Sequence, residues 1–215
     1  MGRRTLSKIK PEVDLTRHFR LVAELPRPWD PAAVFGRAAP LELEIGSGKG
    51  LFLRSAAAAH PEIDYLGVEI AKRYALHAAA RLAAAGVPNA VVAAGDAAIV
   101  MDQVLPEGSV AAVHVYFPDP WWKRRHKKRR VLQDTLVRQM ERLLASGGTL
   151  HFWTDVEEYF QTAQGILLRE TRLEGPFDVP QRPAEDAWDY RTHFERRTRL
   201  AGKPVYRCEF RKPVG

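Results

Sequence analysis

Cysteine, long apolar runs and metal-ligand spacings are scarce in this chain of 215 residues. The single cysteine, Cys208, excludes an intrachain disulfide framework and is typical of a reducing compartment, so we expect a cytoplasmic protein. No apolar run reaches membrane-spanning length, and the basic N-terminus lacks the apolar segment of a secretory signal, so we expect no membrane association. With one cysteine and no histidines at ligand spacing, we also expect no metal site.

Positive charge is concentrated in one short segment. Lys and Arg number 33, against 26 Asp and Glu. Residues 123–130 contain seven Lys or Arg and one histidine, His126, and without those seven cations the rest of the chain is neutral. The net charge of +7 therefore belongs to this basic segment, which indicates a polyanionic partner such as nucleic acid. A merely solvated surface is the alternative that charge runs also fit.

A carboxylate fixed between two prolines precedes the basic segment. Asp119 follows a nearly continuous apolar stretch, residues 110–117, and lies between Pro118 and Pro120, which restrict its backbone. Two tryptophans come directly after the second proline. Cations can hold phosphate, aromatic rings can stack on bases, and a carboxylate can face a base edge. The combination predicts chemistry on a nucleobase.

Strand, turn and helix alternate along most of the chain, which predicts an α/β fold with a parallel sheet and helices on both faces. Residues 1–40 are predicted to be a basic N-terminal arm with a short helix that opens at Asp30 and Pro31. Residues 41–215 are predicted to form the main domain, with weaker order after Glu170. The predicted strands are residues 41–45, 64–69, 90–94, 110–117, 149–154 and 205–210, and the main predicted helices are residues 51–60, 71–85, 130–144 and 156–169.

Three glycines lie between the first of these strands and the first long helix. Gly46, Gly48 and Gly50 allow positive φ and close approach of the backbone to a ligand, at the carboxyl edge where open parallel sheets bind ligands. The dinucleotide fingerprint would need a glycine at position 51, which is Leu51. The spacing, with Glu44 before it, is similar to the S-adenosylmethionine site of Rossmann-like methyltransferases.

Acidic residues follow the other strands of the predicted sheet. Glu69 ends the second strand and can accept hydrogen bonds from ribose hydroxyls of either NAD or S-adenosylmethionine. Asp96 follows the third strand, where methyltransferases of this fold often contact the adenine amino group; capping of the next helix is an equal alternative, and both can hold together. Asp119 and Asp155 follow adjacent strands, where a carboxylate can accept hydrogen bonds from guanine N1–H and its 2-amino group. For Asp155, capping of the next helix is an equal alternative.

With these residues in view, the chain resembles the bacterial tRNA (guanine-N7)-methyltransferase family. The matching segments occur in family order and span most of the chain from residue 41 to about residue 197. The resemblance implies a Rossmann-like class I methyltransferase fold, with a mostly parallel seven-stranded sheet and helices on both faces. The segments that carry it are residues 44–50, residues 67–70, residues 116–130, Thr154 and Asp155 with Tyr159, and residues 192–195.

The family implies transfer of a methyl group from S-adenosylmethionine to N7 of guanine at position 46, in the variable loop of tRNA. No obligate protein partner is expected. The cofactor contacts that the resemblance implies are Glu44, Gly46, Gly48, Gly50, Glu69, Asp96 and Asp119, and Asp119 is also the implied catalytic residue. The implied substrate contacts are Lys123, Asp155, Thr192, His193, Phe194 and Glu195. The residues implied to lie against RNA are Arg125, His126, Lys127, Lys128, Arg129 and Arg130.

Two rival functions fit part of the sequence. An exocyclic-amino RNA methyltransferase would carry Asp or Asn, two prolines and an aromatic residue, but Trp121 stands at the second proline. A non-catalytic RNA-binding module would need only the basic segment and the aromatic residues. It leaves the glycines, Glu44 and Glu69 without a role, and binding of S-adenosylmethionine separates it from an enzyme.

Overall fold

A computed structural model describes residue 9 and residues 12–121, 130–184, 186 and 190–215. Within them, eight strands form one sheet in the order β1-β4-β3-β2-β5-β6-β8-β7. Neighbours from β1 to β6 are parallel, whereas β8 is antiparallel to both β6 and β7. The strands are β1 (Phe19–Leu21), β2 (Leu41–Ile45), β3 (Asp64–Glu69), β4 (Ala90–Ala94), β5 (Val110–Tyr116), β6 (Leu144–Thr154), β7 (Glu174–Asp178) and β8 (Tyr206–Arg211).

Helices cover both faces of this sheet, and the strand residues alternate between the two hydrophobic clusters that result. In β3, for example, Leu66 and Val68 belong to one cluster and Tyr65 to the other. This two-sided burial explains the nearly continuous apolar strands. On one face pack α2 (Leu51–Ala59) and α3 (Lys72–Ala85); on the other pack α1 (Pro31–Phe35), α4 (Ala97–Gln103), α5 (Asp134–Leu143) and α6 (Glu157–Glu170).

The predicted Rossmann-like architecture is confirmed, with eight strands in the described chain instead of seven. The additional N-terminal strand, β1, lies inside the predicted arm and pairs with β4. Val22, Leu25 and Phe35 also enter the core, so the folded unit extends N-terminal to the boundary that we expected near Pro40. Asp30 caps α1 through bonds from the Ala32 and Ala33 amides, as predicted.

Two further differences lie downstream. The helix predicted over residues 130–144 begins at Asp134 and ends at Leu143, because Leu144 already pairs with Val110 as part of β6. The region after Glu170, where weak order was expected, contains β7 and also α7 (His193–Leu200). No described helix combines the length and apolarity needed to cross a membrane.

Candidate active site

The fold gathers the glycines and acidic residues predicted at the strand ends along one edge of the sheet. From β2 the chain moves outward through β3 and β4, and it then crosses back to β5 and β6 on the other side of β2. The reversal between β2 and β5 is a topological switch point, where open α/β sheets form a ligand crevice at the carboxyl ends of the strands. The glycine turn after β2 and the Asp119 turn after β5 therefore border the same crevice.

The glycine turn needs glycine for its backbone conformation, and at Gly50 also because a neighbouring helix lies too close for a side chain. Gly48 has a φ of 54°, in the left-handed region, and its amide points at Glu69. At Gly50, with a φ of 68°, an added Cβ would lie 2.8 Å from the Cβ of Ala78 on α3. The turn thus needs glycine both for its backbone conformation and for its packing on α3.

Glu69 joins the glycine turn to the end of β3. Its Oε2 accepts a hydrogen bond from the Gly48 amide at 2.9 Å, and its Oε1 accepts one from the Ala71 amide at 2.9 Å. A carboxylate has about four acceptor positions, so two remain for the hydroxyls of a ligand. Glu69 can therefore hold the turn and a ribose at the same time.

Glu44 is the buried carboxyl beneath this turn. It is 3% exposed, and its Oε2 lacks a hydrogen-bond partner in the described part of the chain. Burial, and to a smaller extent the charge of Glu69, together raise the pKa of Glu44 to about 8. Such a carboxyl is stabilised in its ionised form by a cation, so the geometry suits a ligand with a positive group.

Asp96 caps α4. Its Oδ1 accepts a hydrogen bond from the Ala98 amide at 2.9 Å, and the residue is exposed at the carboxyl end of β4. The capping alternative is therefore confirmed. Because one carboxylate oxygen remains, a contact with a ligand is compatible with capping and stays a prediction.

The turn around Asp119 has an unusual backbone. Phe117 and Trp121 have φ values of 49° and 44°, which L-residues with side chains rarely adopt. Each such residue costs about 1–3 kcal/mol and persists only when its surroundings hold it. The amide of Phe117 donates a hydrogen bond to the Trp153 carbonyl of β6 at 2.8 Å, which fixes the start of the turn. Asp119 itself is exposed, just beyond the carboxyl end of β5.

The start of α7 covers this part of the molecule. His193 Nε2 lies 2.7 Å from Nη1 of Arg81, a residue of α3. Burial, and then the charges of Arg81 and Lys49, lower the pKa of His193 to about 4, so the neutral ring accepts this bond. Phe194 is 54% exposed and stacks on Phe117. The two contacts join the start of α7 to α3 and to the Asp119 turn.

Thr192 and Glu195 serve the helix itself. Thr192 Oγ1 accepts a hydrogen bond from the Glu195 amide at 3.0 Å as the N-cap. Glu195 is 2% exposed and pairs with Arg199 and Arg207 at 3.1 and 3.4 Å. Its burial leaves little surface for a substrate, so the structure favours an anchoring role over the direct contact that we predicted.

Asp155 does not cap α6. The cap residue is Val156, which has no side-chain cap bond, and its amide donates to Thr154 Oγ1 at 3.3 Å. The capping alternative for Asp155 is therefore wrong. Asp155 is exposed, and its Oδ2 accepts a bond from Thr198 of α7 at 3.4 Å. Its predicted contact with the substrate remains open.

The basic segment is described only at its end. Lys123, Arg125, His126, Lys127, Lys128 and Arg129 lie outside the described residues. Arg130 is described, and it is 8% exposed instead of lying on the surface. Its Nε donates to the Pro120 carbonyl at 2.7 Å, which corrects the prediction that this residue lies against RNA. Sequence reasoning also missed Arg81, whose one signal is that it is the single cation in the alanine-rich second half of α3.

Together the crossover at β2 and β5, the glycine turn and the acids at the strand ends define a Rossmann-like methyltransferase. Solved structures agree on this fold. The 16S rRNA methyltransferase KamB has a TM-score of 0.62 at 19% identity and covers 90% of this chain and 99% of its own. A 16S rRNA (adenine(1408)-N(1))-methyltransferase from Catenulisporales acidiphilia has a TM-score of 0.58 at 18% identity, covering 85% and 89%.

Sequence comparison narrows the class to a family. A family model described as a putative methyltransferase matches residues 38–208. A tRNA (guanine-N(7)-)-methyltransferase of Rhodopirellula baltica is 46% identical over 218 aligned positions, covering 99% of this chain and 80% of the relative. One of Myxococcus xanthus is 37% identical over 191 positions, covering 89% and 91%. The chain belongs to the tRNA (guanine-N7)-methyltransferase family.

Proposed function

We propose that this chain transfers a methyl group from S-adenosylmethionine to N7 of guanine 46 in the variable loop of tRNA. The observation that carries the proposal is the switch point between β2 and β5: Glu44, whose buried Oε2 has no hydrogen-bond partner among the described residues, lies before the glycine turn, and a strained turn after the neighbouring strand presents Asp119. Membership of the family supports the choice of base and atom. The assignment to position 46 of the tRNA goes beyond what family membership supports and is part of the proposal.

The residues around the glycine turn fit S-adenosylmethionine. This cofactor supplies the methyl group, and it carries a positive sulfonium and an amino group. Glu44 provides a buried carboxyl whose Oε2 has no partner among the described residues, which suits a cation. Glu69 keeps acceptor capacity for ribose hydroxyls beside its bonds to Gly48 and Ala71.

Methylation at N7 does not require the protein to remove a proton from the base. N7 of guanine has an in-plane lone pair and no proton, so an obligatory base is not needed. Alignment of N7 with the methyl carbon is the main requirement, and a turn with a fixed backbone meets it. The methylated base is positively charged, and the carboxylate of Asp119 can stabilise that charge as it develops.

The substrate side of the crevice is suited to RNA. The basic segment of residues 123–130 begins four residues after Asp119 and carries charge equal to the whole net charge of +7. Phe194 adds an exposed ring beside the Asp119 turn, on which a base can stack. We further expect the chain to work in the cytoplasm without an obligate protein partner.

The test is methylation of an unmodified tRNA transcript by the purified chain alone, with methyl-labelled cofactor. Cleavage at alkali-labile N7-methylguanine then maps the modified base. We expect label at guanine 46 and none in a matched transcript with adenine there. Label on an exocyclic amino group would favour the rival methyltransferase, and tRNA binding without cofactor binding would favour a non-catalytic module. N7 label at another guanine would support the proposed reaction and show that the assignment to position 46 is wrong.

A further inference from the structure

Arg130 ends the basic segment in the sequence, yet it is buried in the fold. Its Nε donates a hydrogen bond to the carbonyl oxygen of Pro120 at 2.7 Å. Its guanidinium carbon lies 4.9 Å from the centroid of the Tyr159 ring, in cation–π geometry. Arg130 thus connects the residue directly after Asp119 to helix α6.

The partner ring is itself firmly placed. Tyr159 is buried, and its hydroxyl accepts a hydrogen bond from the Leu132 amide at 3.3 Å. Its ring also packs edge-on against Phe152 of β6, with centroids 5.8 Å apart. Tyr159 is part of the core. Because Arg130 stacks on its ring and bonds to the Pro120 carbonyl, Arg130 anchors that carbonyl to the core.

The Asp119 turn needs such a support at its far end. Phe117 and Trp121 flank it in left-handed conformations that are stable only when held from outside. The Phe117 amide is held by the Trp153 carbonyl of β6. Arg130 supplies the corresponding bond after Asp119, so the carboxylate lies between two anchored points.

We infer that Arg130 is a positioning residue that holds Asp119 in place for methyl transfer and does not contact RNA. A lysine could not replace it, because an ammonium lacks the planar group that both stacks on Tyr159 and directs Nε at a carbonyl. This inference rests on the proposed function of Asp119. Arg130 would then position Asp119, whereas the other cations of the basic segment would bind RNA.

The test compares Arg130→Lys and Arg130→Gln with Arg129→Gln, which removes a neighbouring charge. We expect both Arg130 variants to lower the single-turnover methylation rate by about 10- to 100-fold, because small misplacements of reacting groups have effects of that size. The dependence of tRNA affinity on salt should stay as in wild type. For Arg129→Gln, the slope of log affinity against log salt should fall by roughly 0.7–0.9.

A second variant covers the case that Arg130→Gln does not fold. Tyr159→Leu removes the supporting ring without changing any charge, so a lower rate with an unchanged salt slope is expected there too. The inference is overturned if Arg130→Gln flattens the salt slope as Arg129→Gln does, or if Arg130→Lys keeps the wild-type rate. Failure of the proposed function would show differently, as absence of N7 methylation by the wild-type chain.

Discussion

The ring of Phe194 stacks on the ring of Phe117, with centroids 6.4 Å apart and planes inclined by 18°. The pair joins the first turn of α7 to the first residue of the turn that presents Asp119. The guanidinium carbon of Arg197 also lies 4.6 Å from the centroid of this ring, and Phe194 nevertheless remains 54% exposed, so part of the ring is open to solvent. An exposed aromatic ring in this place is suited to stack on a nucleobase.

Phe194→Ala should therefore lower kcat/KM for tRNA while changing the melting temperature of the protein little. Loss of base stacking costs about 1–3 kcal/mol, so kcat/KM for tRNA should fall by about 5- to 150-fold. The control is Leu200→Ala, at the other end of α7 and 69% exposed, which should leave kcat/KM unchanged. Equal loss in the two variants, or a large drop in melting temperature for Phe194→Ala alone, would argue against a substrate role.

The sequence locates those parts of the site that depend on local pattern. Gly46 to Gly50 and Glu69 can be proposed from sequence because glycine spacing and strand ends are short-range signals. Asp119 can be proposed because two prolines and an apolar strand mark its turn. In these cases the residues that create the geometry are also neighbours in the chain.

The parts that sequence reasoning missed depend on distant contacts. Strand β1 has three residues, too few for a periodic pattern, and exists because it pairs with β4 about 70 residues away. Glu195 resembles a surface acid until Arg199 and Arg207 are seen to surround it. Arg130 was grouped with the cations beside it, although its role comes from Tyr159 and Pro120.

A second prediction concerns Glu69, which supports both the glycine turn and the predicted ribose site. Glu69→Ala should weaken binding of S-adenosylmethionine by ~1–3 kcal/mol and also lower stability, because the Gly48 and Ala71 amides lose their acceptor. Calorimetric titration and thermal unfolding measure the two effects. In the matched control Glu141→Ala, the Arg172 amide loses its acceptor on α5, so only stability should fall. Wild-type cofactor affinity in a folded Glu69→Ala protein would remove Glu69 from the site.

A third prediction concerns the buried carboxyl of Glu44. Its pKa is about 8 in the folded chain and near 4.5 when unfolded, so between these values the folded form holds a proton that the unfolded form has released. The stability contribution is therefore complete below pH 4.5 and is lost as pH rises toward 8, by at most about 1.4 kcal/mol per pH unit. Glu44→Gln should remove this slope.

The measurement is the free energy of unfolding of wild type and Glu44→Gln in steps from pH 5 to 8. The difference between the two is needed, because burial lowers the pKa of His114 and His193 to about 4 and so makes stability rise with pH through both residues in part of the same range. The exposed Glu174→Gln should match wild type. Saturating S-adenosylmethionine should reduce the wild-type slope, since a cation beside Glu44 favours its ionised form. Parallel curves for wild type and Glu44→Gln would contradict this account.

The last prediction concerns Asp119 and separates electrostatic stabilisation from base catalysis. Asp119→Asn keeps the shape of the side chain and removes its charge. If the carboxylate stabilises the positive charge that develops on the base, the single-turnover rate should fall by about 10²- to 10³-fold, while tRNA binding and folding persist. Asp178→Asn, an exposed carboxylate at the end of β7, is the control and should keep the wild-type rate. Because N7 has no proton to lose, the wild-type rate at saturating cofactor should not fall steeply between pH 7 and pH 6. A steep single ionisation in that range, absent from Asp119→Asn, would instead identify Asp119 as a general base.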